Sequence, residues 1–248
     1  MSIIDLKYYN SEKRVTENRR MRPRRNLGGA TLRVDHDAMG CRIVRGVRIK
    51  RIIDRVGATV ALLVFFPVML LIAVLIRLDS RGPVLFRQER VGQGGRTFWI
   101  FKFRTMTVDA EDRLPELEPR NESAGGVLFK MRRDPRITPL GRLLRRASLD
   151  ELPQLFNVLR GEMSLVGPRP LQLRDCALLR RSDPAGYHKR HQVLPGITGL
   201  WQVSGRSDLG FARMVDLDAR YIEAASLGLD LRIIAQTIKV LLTCKGAY

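Results

Sequence analysis

Residues 56–76 read VGATVALLVFFPVMLLIAVLI, an apolar run without a charged side chain. A helix needs about 20 predominantly apolar residues to cross a bilayer, so the length of the run predicts a membrane helix. Pro67 stands at its middle, where a proline removes a backbone hydrogen bond and bends a helix. Basic residues flank both ends, so the positive-inside rule assigns no orientation. Two arrangements stay open: a kinked span, and a helix that turns at Pro67 and returns to the same face.

The composition of the chain favours anionic partners. Lys and Arg number 44 against 25 Asp and Glu, which gives the 248 residues a net charge of +19. This charge fits nucleic acid, phosphorylated substrates or acidic lipid, and the apolar run favours lipid. The sequence shows no helix-turn-helix, RNA-recognition or zinc pattern, so nucleic acid is not an expected partner. The three cysteines are widely spaced, which is typical of a reducing compartment.

Residues 1 to about 47 are basic and contain few long apolar side chains. Their densest stretch is RRMRPRR at residues 19–25. This composition predicts a flexible segment. It is either a solvated tail or an electrostatic tether to anionic lipid, which is worth about 1 kcal/mol per basic residue near the surface.

A β-hairpin is predicted after the apolar run, because two strand-like segments flank the turn-forming residues 92–95. Alternation along the second strand places Lys102 and Arg104 on one face, either in solvent or beside an anion. Helical patterns follow, and the last of them is amphipathic, which suits the bilayer surface or the core. The predicted strands are 84–91 and 97–104, and the predicted helices are 139–147, 149–159, 211–226 and 229–243. Thr138 is the predicted N-cap of the first of these helices.

Asp150 and Glu151 form an adjacent carboxylate pair at the predicted start of helix 149–159. Ser148 and Glu151 have the spacing of a capping box, which explains them without chemistry. The alternative is a phosphate site, formed by Arg145 and the free N–H groups of the helix start. A carboxylate at such a site coordinates Mg²⁺ or attacks phosphorus. The residues alone leave both interpretations open.

Three stretches of the chain resemble the bacterial sugar transferase family, the monotopic phosphoglycosyl transferases. They are SLDELPQLFNV at 148–158, GEMSLVGPRP at 161–170 and PGITGLWQVSGR at 195–206. The resemblance covers roughly residues 48–248, and it includes KRIID at 50–54, the Pro67-interrupted run, FKFRTM at 101–106 and the ending KGAY.

The resemblance implies an α+β fold. A re-entrant helix at about 52–77, kinked at Pro67, would anchor a small catalytic domain over about 80–248. That domain would contain helices, a short β-hairpin and interfacial amphipathic helices. It would lie on the cytoplasmic face of the bacterial inner membrane, and a homodimer is a further expectation.

The resemblance also implies a reaction. A sugar-1-phosphate would pass from a UDP-sugar, expected to be UDP-galactose or UDP-glucose, to undecaprenyl phosphate, with release of UMP. This is the first membrane step of exopolysaccharide or O-antigen assembly. Asp150 would be the nucleophile, and Glu151 would assist by metal binding or by positioning Arg145. The two carboxylates are the expected ligands of Mg²⁺. The implied substrate contacts are Arg145, Arg169, Lys102, Arg104 and Arg206.

A non-catalytic basic membrane adaptor is the alternative function. It explains the positive charge and the apolar run, but it leaves Asp150, Glu151 and the ordered motifs without a role.

Overall fold

The computed structural model describes residues 36–122, 129, 131, 133–205 and 210–243. The chain separates into two compact units, Met1–Arg42 and Ile43–Tyr248. In the first unit the structure describes only the start of a helix, from residue 36 onward. Most of the predicted basic segment, residues 1 to about 47, therefore lies outside the described residues. Arg206 lies outside them as well.

Helices and short strands together build the second unit, which confirms the expected α+β class. In chain order the elements are α1 (His36–Asp79), β1 (Leu85–Val91), β2 (Thr97–Phe103), α2 (Leu114–Leu117), α3 (Pro139–Arg146), α4 (Gln154–Leu159), β3 (Ser164–Val166), α5 (Leu173–Ser182), α6 (Pro184–Arg190), β4 (Gly196–Thr198), α7 (Leu200–Val203), α8 (Phe211–Glu223) and α9 (Leu227–Thr243).

The helix α1 contains the apolar run and exposes most of it. Within the described residues, its segment Arg48–Asp79 is long and apolar enough to cross a membrane, judged by length and composition. One stripe is nevertheless buried: Ala58 packs with the β2 residue Phe98, and Ile76 packs with Phe103. The domain therefore covers one face of the helix along the whole apolar run. The helix continues through Pro67, and its bend and return stay predictions.

The predicted hairpin is confirmed. β1 and β2 pair antiparallel, from Leu85 opposite Phe103 to Val91 opposite Thr97. The turn between them uses two glycines with positive φ, Gly94 at 67° and Gly95 at 75°. A residue with a side chain rarely adopts that backbone conformation, so the sequence terminates the strands at this point.

The predicted helix 149–159 is confirmed from Gln154 to Leu159, but its predicted start at Leu149 is wrong, and the capping box is wrong with it. Ser148 has a left-handed backbone (φ 55°), and its side chain makes no capping hydrogen bond. A short 3₁₀ turn follows at Leu149–Glu151, and the helix α4 begins only at Gln154. Pro153 lacks an N–H group, so it cannot donate the hydrogen bond that would continue one helix from the turn. The carboxylate pair thus lies in a turn between two helices.

Two of the quoted motifs meet in a small parallel sheet. Ser164 pairs with Gly196 and Val166 pairs with Thr198. The backbones approach so closely that a Cβ on Gly196 would lie 2.1 Å from the Gly167 nitrogen. This contact fixes the beginning of the loop that carries Arg169.

The amphipathic pattern of the last helix is visible in α9. Ile233 is buried, and it packs with Val166 and Tyr221. Leu231 and Ile238 are exposed on the same helix. One face of α9 therefore packs in the core. The exposed apolar side chains are compatible with contact to the bilayer surface, which stays a prediction.

Candidate active site

The carboxylate pair is enclosed although it lies in a turn. Asp150 is 7% exposed, and the side chain of Glu151 is 17% exposed. Two buried carboxylates side by side are unfavourable unless cations compensate them. The chain supplies those cations from separate elements.

Lys102 and Arg169 converge on Glu151. Lys102 Nζ lies 2.6 Å from Glu151 Oε1 and 4.0 Å from Asp150 Oδ2. Arg169 Nη2 donates to the same Oε1 atom at 3.0 Å. The structure therefore brings together four of the predicted site residues, from the strand β2, the turn after α3 and the loop after β3.

Glu151 and Asp150 have opposite electrostatic environments. Burial alone would raise the pKa of Glu151, but the Lys102 and Arg169 cations outweigh it and hold that pKa well below its usual range. Burial raises the pKa of Asp150, and the Glu151 charge adds to the rise while Lys102 and Arg145 oppose it. The cations thus favour the ionised form of Glu151. Asp150 is a desolvated carboxylate, so its anion is strongly stabilised by a nearby positive charge or by reaction with an electrophile.

Arg145 is held beside the pair by the close packing of α3. Thr138 caps the helix by accepting a hydrogen bond from the Gly141 nitrogen at 2.9 Å, as predicted. A Cβ on Gly141 would lie 2.0 Å from the Thr105 carbonyl oxygen, so glycine lets α3 approach the segment after β2. Arg145 Nε then donates to Thr105 Oγ1 at 2.9 Å. Arg145 acts on Asp150 through charge, and its own pKa is lowered by burial.

The Arg169 loop is positioned by a buried ion pair that sequence reasoning missed. Arg190 Nη2 donates to the Arg169 carbonyl oxygen at 2.7 Å and lies 2.9 Å from Asp218 Oδ2. Both side chains of this pair are 3% exposed. Burial raises the pKa of Asp218 to about 6 against the effect of Arg190. Arg190 and Asp218 are in separate helices, α6 and α8, so spacing in the sequence gives no sign of their contact.

Asn157 is a second residue that sequence reasoning missed. It is fully buried, and it donates to the Trp99 carbonyl oxygen at 2.7 Å and accepts from the Phe101 nitrogen at 3.1 Å. These bonds tie α4 to β2, so they fix the carboxylate turn relative to Lys102. The available signal in the sequence was a polar amide between the apolar residues Phe156 and Val158 of the motif 148–158.

Arg104 does not join this group. It is buried, and its guanidinium donates to the carbonyl oxygens of Arg81 (2.6 Å) and Ser80 (2.7 Å). Arg104 therefore secures the end of α1, although alternation along β2 placed it with Lys102. Its predicted phosphate contact stays a prediction, and so does that of Arg206, which lies outside the described residues.

The expected Mg²⁺ fits the donor set of the pair. Within the described part of the chain, no group of three or more His, Cys, Asp and Glu side chains forms a metal cage. Mg²⁺ usually takes one or two carboxylates together with water and substrate phosphates. Asp150 and Glu151 offer that partial set of oxygen ligands.

This arrangement suits chemistry on a phosphate. Lys102, Arg145 and Arg169 place three cations around a desolvated carboxylate, and arginine in particular binds phosphate oxygens. A buried carboxylate among such cations is a candidate nucleophile toward phosphorus.

A family profile described as bacterial sugar transferase matches residues 45–244. This chain belongs to the bacterial sugar transferase family. The three quoted motifs all lie inside the matched range, and the first two of them supply Asp150, Glu151 and Arg169. The predicted family is confirmed.

Curated members of the bacterial sugar transferase family are similar to this one over about four fifths of its length. The exopolysaccharide production protein ExoY of Rhizobium meliloti is 41% identical over 80% of this chain and 88% of its own. The undecaprenyl-phosphate glucose phosphotransferase of Komagataeibacter xylinus is 46% identical over 80% of this chain and 37% of its own. The undecaprenyl-phosphate galactose phosphotransferase of Salmonella typhimurium is 41% identical over 81% of this chain and 42% of its own.

The chain thus spans less than half the length of several curated relatives that it matches, including a galactosyl transferase of Streptococcus agalactiae of which it covers 43%. The shared part contains the candidate active site.

Proposed function

We propose that this protein transfers a sugar-1-phosphate from a UDP-sugar to undecaprenyl phosphate at the cytoplasmic face of the bacterial inner membrane. The observation that carries the proposal is the buried Asp150, surrounded by Lys102, Arg145 and Arg169 and next to Glu151, whose pKa Lys102 and Arg169 hold low. The names of similar proteins, a glucose and a galactose phosphotransferase of undecaprenyl phosphate, support the same acceptor and a hexose donor.

The first step would be attack by a carboxylate oxygen of Asp150 on the β-phosphorus of the donor, which carries the sugar. The bond between this phosphorus and the bridging oxygen breaks, and UMP leaves with the electron pair. The product is an aspartyl-phosphosugar. Because Asp150 is desolvated, its anion is a stronger nucleophile here than in water.

The second step would be attack by a phosphate oxygen of undecaprenyl phosphate on the same phosphorus. The bond to Asp150 breaks, the carboxylate is regenerated, and the product is undecaprenyl-diphosphate sugar. No proton has to be gained or lost by Asp150 in either step. A covalent intermediate lets the two large substrates use the site in turn.

The cations divide the remaining work. Lys102 and Arg169 are both paired with Glu151, so the glutamate holds them in position for phosphate oxygens. Arg145 is fixed by Thr105 and balances the charge of Asp150. When Mg²⁺ is bound by Asp150 and Glu151, it would neutralise charge on the diphosphate of the donor.

The re-entrant form of α1 is part of the proposal. Ala58 and Ile76, at opposite ends of the apolar run, both pack on the β2 side of the same domain. A helix that crossed the bilayer would carry one of these ends away from a domain on a single side. A return to the cytoplasmic face, with Pro67 as the bend, is compatible with both contacts.

The test is release of UMP by the purified full chain in nanodiscs, with Mg²⁺, undecaprenyl phosphate and a panel of UDP-sugars. We expect release from UDP-galactose or UDP-glucose and a loss of at least about a thousandfold in Asp150→Asn, because the amide is a poor nucleophile. Asp112→Asn, which changes an exposed carboxylate, is the matched control and should retain activity. Equal release by both variants would contradict the proposal.

A further inference from the structure

A basic cavity of about 400 Å³ lies at the opposite end of β2 from the carboxylate pair. This volume is in the range of ordinary ligand sites. Its apolar wall includes Phe98, Met163 and Leu194. Its charged lining consists of Arg51, Asp54, Arg55, Arg96, Arg160 and Glu162.

Positive charge in the cavity is not compensated by its own carboxylates. Asp54 Oδ1 accepts from the Leu165 nitrogen at 3.2 Å, and its Oδ2 lies 3.8 Å from Lys50 Nζ. Glu162 Oε2 accepts from Asn157 Nδ2 at 2.7 Å. Among the described residues, none of the four lining arginines forms an ion pair with a carboxylate. Four cations and two anions leave an excess of positive charge in the lining.

The arginines approach the cavity from three elements. Arg51 and Arg55 are one turn apart on α1, Arg96 lies just before β2, and Arg160 follows α4. Arg55 Nη2 would be 3.4 Å from a Cβ on Gly161, so the helix side chain reaches the opposite wall. Arginines from three elements thus line one cavity, and arginine binds phosphate oxygens through paired hydrogen bonds.

The cavity is separate from the reacting centre. Thr97 is on its rim, and Lys102 lies five residues further along the same strand. A strand rises about 3.3 Å per residue, so the separation is roughly 16 Å. A phosphate bound here is too far from Asp150 to be the group that the carboxylate attacks.

The position of the cavity indicates which phosphate it meets. Arg55 immediately precedes Val56, where the charge-free run begins, and Arg51 lies one helical turn before Arg55. Side chains at that point of a membrane helix lie at the level of the lipid headgroups, where anionic lipid concentrates phosphate. The apolar wall suits the adjoining lipid backbone.

We propose that this cavity binds the phosphate of an anionic membrane lipid and so fixes the domain on the bilayer. The site is distinct from the substrate site, and the proposal does not depend on the reaction proposed above. Arginine binds phosphate with paired hydrogen bonds, and partial removal from water strengthens them.

Lipid binding to the full chain in neutral detergent tests the proposal. The melting temperature is followed as short-chain phosphatidylglycerol is added, because a ligand that binds the folded state stabilises it. Parallel titrations use phosphatidylcholine of the same chain length and inorganic phosphate. The variant Arg55→Gln/Arg160→Gln removes two cavity charges, and Arg180→Gln/Arg181→Gln removes two exposed charges from α5 as the matched control.

We expect phosphatidylglycerol to raise the melting temperature of the wild type and the control alike. The cavity variant should need about tenfold more lipid for the same rise, since it loses two charge-assisted contacts. Arg96→Gln, in the exposed turn before β2, should also need more lipid for the same rise in melting temperature. It replaces the double variant in the test if the double variant is unstable. Equal responses of cavity and control variants would overturn the proposal. Equal stabilisation by inorganic phosphate at matched concentrations would also overturn it, because the site would then accept any free anion.

Discussion

Arg190 donates a hydrogen bond from Nη2 to the main-chain carbonyl oxygen of Arg169, at 2.7 Å. The contact links a buried side chain of α6 to the backbone of the residue whose guanidinium holds Glu151. It makes the geometry of the active site depend on a residue that does not touch the carboxylates. The buried partner of Arg190 is Asp218, so the link extends into the core.

Replacement of Arg190 by lysine should impair donor binding. Lysine preserves the charge beside Asp218, but it cannot reproduce the planar guanidinium that reaches both Asp218 and the Arg169 carbonyl oxygen. We expect the KM for the UDP-sugar to rise about tenfold, with a smaller fall in kcat. Steady-state UMP release measures both. The exposed Arg180→Lys is the control, and a fall in kcat at constant KM would count against a positioning role.

The first chemical step should depend on pH through Asp150. Burial raises the pKa of this carboxyl group, and Lys102 opposes the rise. The nucleophile is ionised above its pKa, so UMP release should be lost as pH falls through a value higher than that of an ordinary aspartate. In Lys102→Met the opposing cation is absent, so the acidic limb should move to still higher pH. A pH series of initial UMP release checks this, and an unmoved limb in Lys102→Met would argue against Asp150 as the ionising group.

The substitution Gly141→Ala should damage both stability and activity. The added Cβ would lie 2.0 Å from the Thr105 carbonyl oxygen, so α3 has to move and carry Arg145 with it. We expect a loss of about 1–3 kcal/mol in the free energy of unfolding and a clear fall in UMP release. Gly228→Ala in α9 is the control, because its Cβ would meet nothing within 4 Å. Melting curves of both variants test the predicted loss of stability, and UMP release by both variants tests the predicted loss of activity.

Asn157→Ala should loosen the contact between α4 and β2. The substitution leaves the Trp99 carbonyl and the Phe101 nitrogen without their buried partner. An unsatisfied buried polar group costs about 1–3 kcal/mol, so we expect a fall in melting temperature that the exposed Gln192→Ala does not show. A melting temperature equal to that of Gln192→Ala would mean that other groups or water replace the lost bonds.

The sequence predicted the hairpin and the cap of α3, and the resemblance implied Lys102, Arg145 and Arg169 as substrate contacts. Alternation and capping are local rules, and the resemblance supplied the long-range part. The local rule failed at Ser148 because the left-handed backbone there turns the chain between α3 and the 3₁₀ turn. Arg190 and Asp218 escaped prediction because their contact exists only once α6 packs against α8.

The most direct measurement is mass spectrometry of the full chain after incubation with UDP-galactose or UDP-glucose and Mg²⁺, without undecaprenyl phosphate. If Asp150 is the nucleophile, a hexose-phosphate adduct should appear on the peptide that contains it, disappear when undecaprenyl phosphate is added, and be absent from Asp150→Asn. Turnover of the donor by an Asp150→Asn protein at the wild-type rate, with no adduct on either protein, would contradict a covalent role for Asp150.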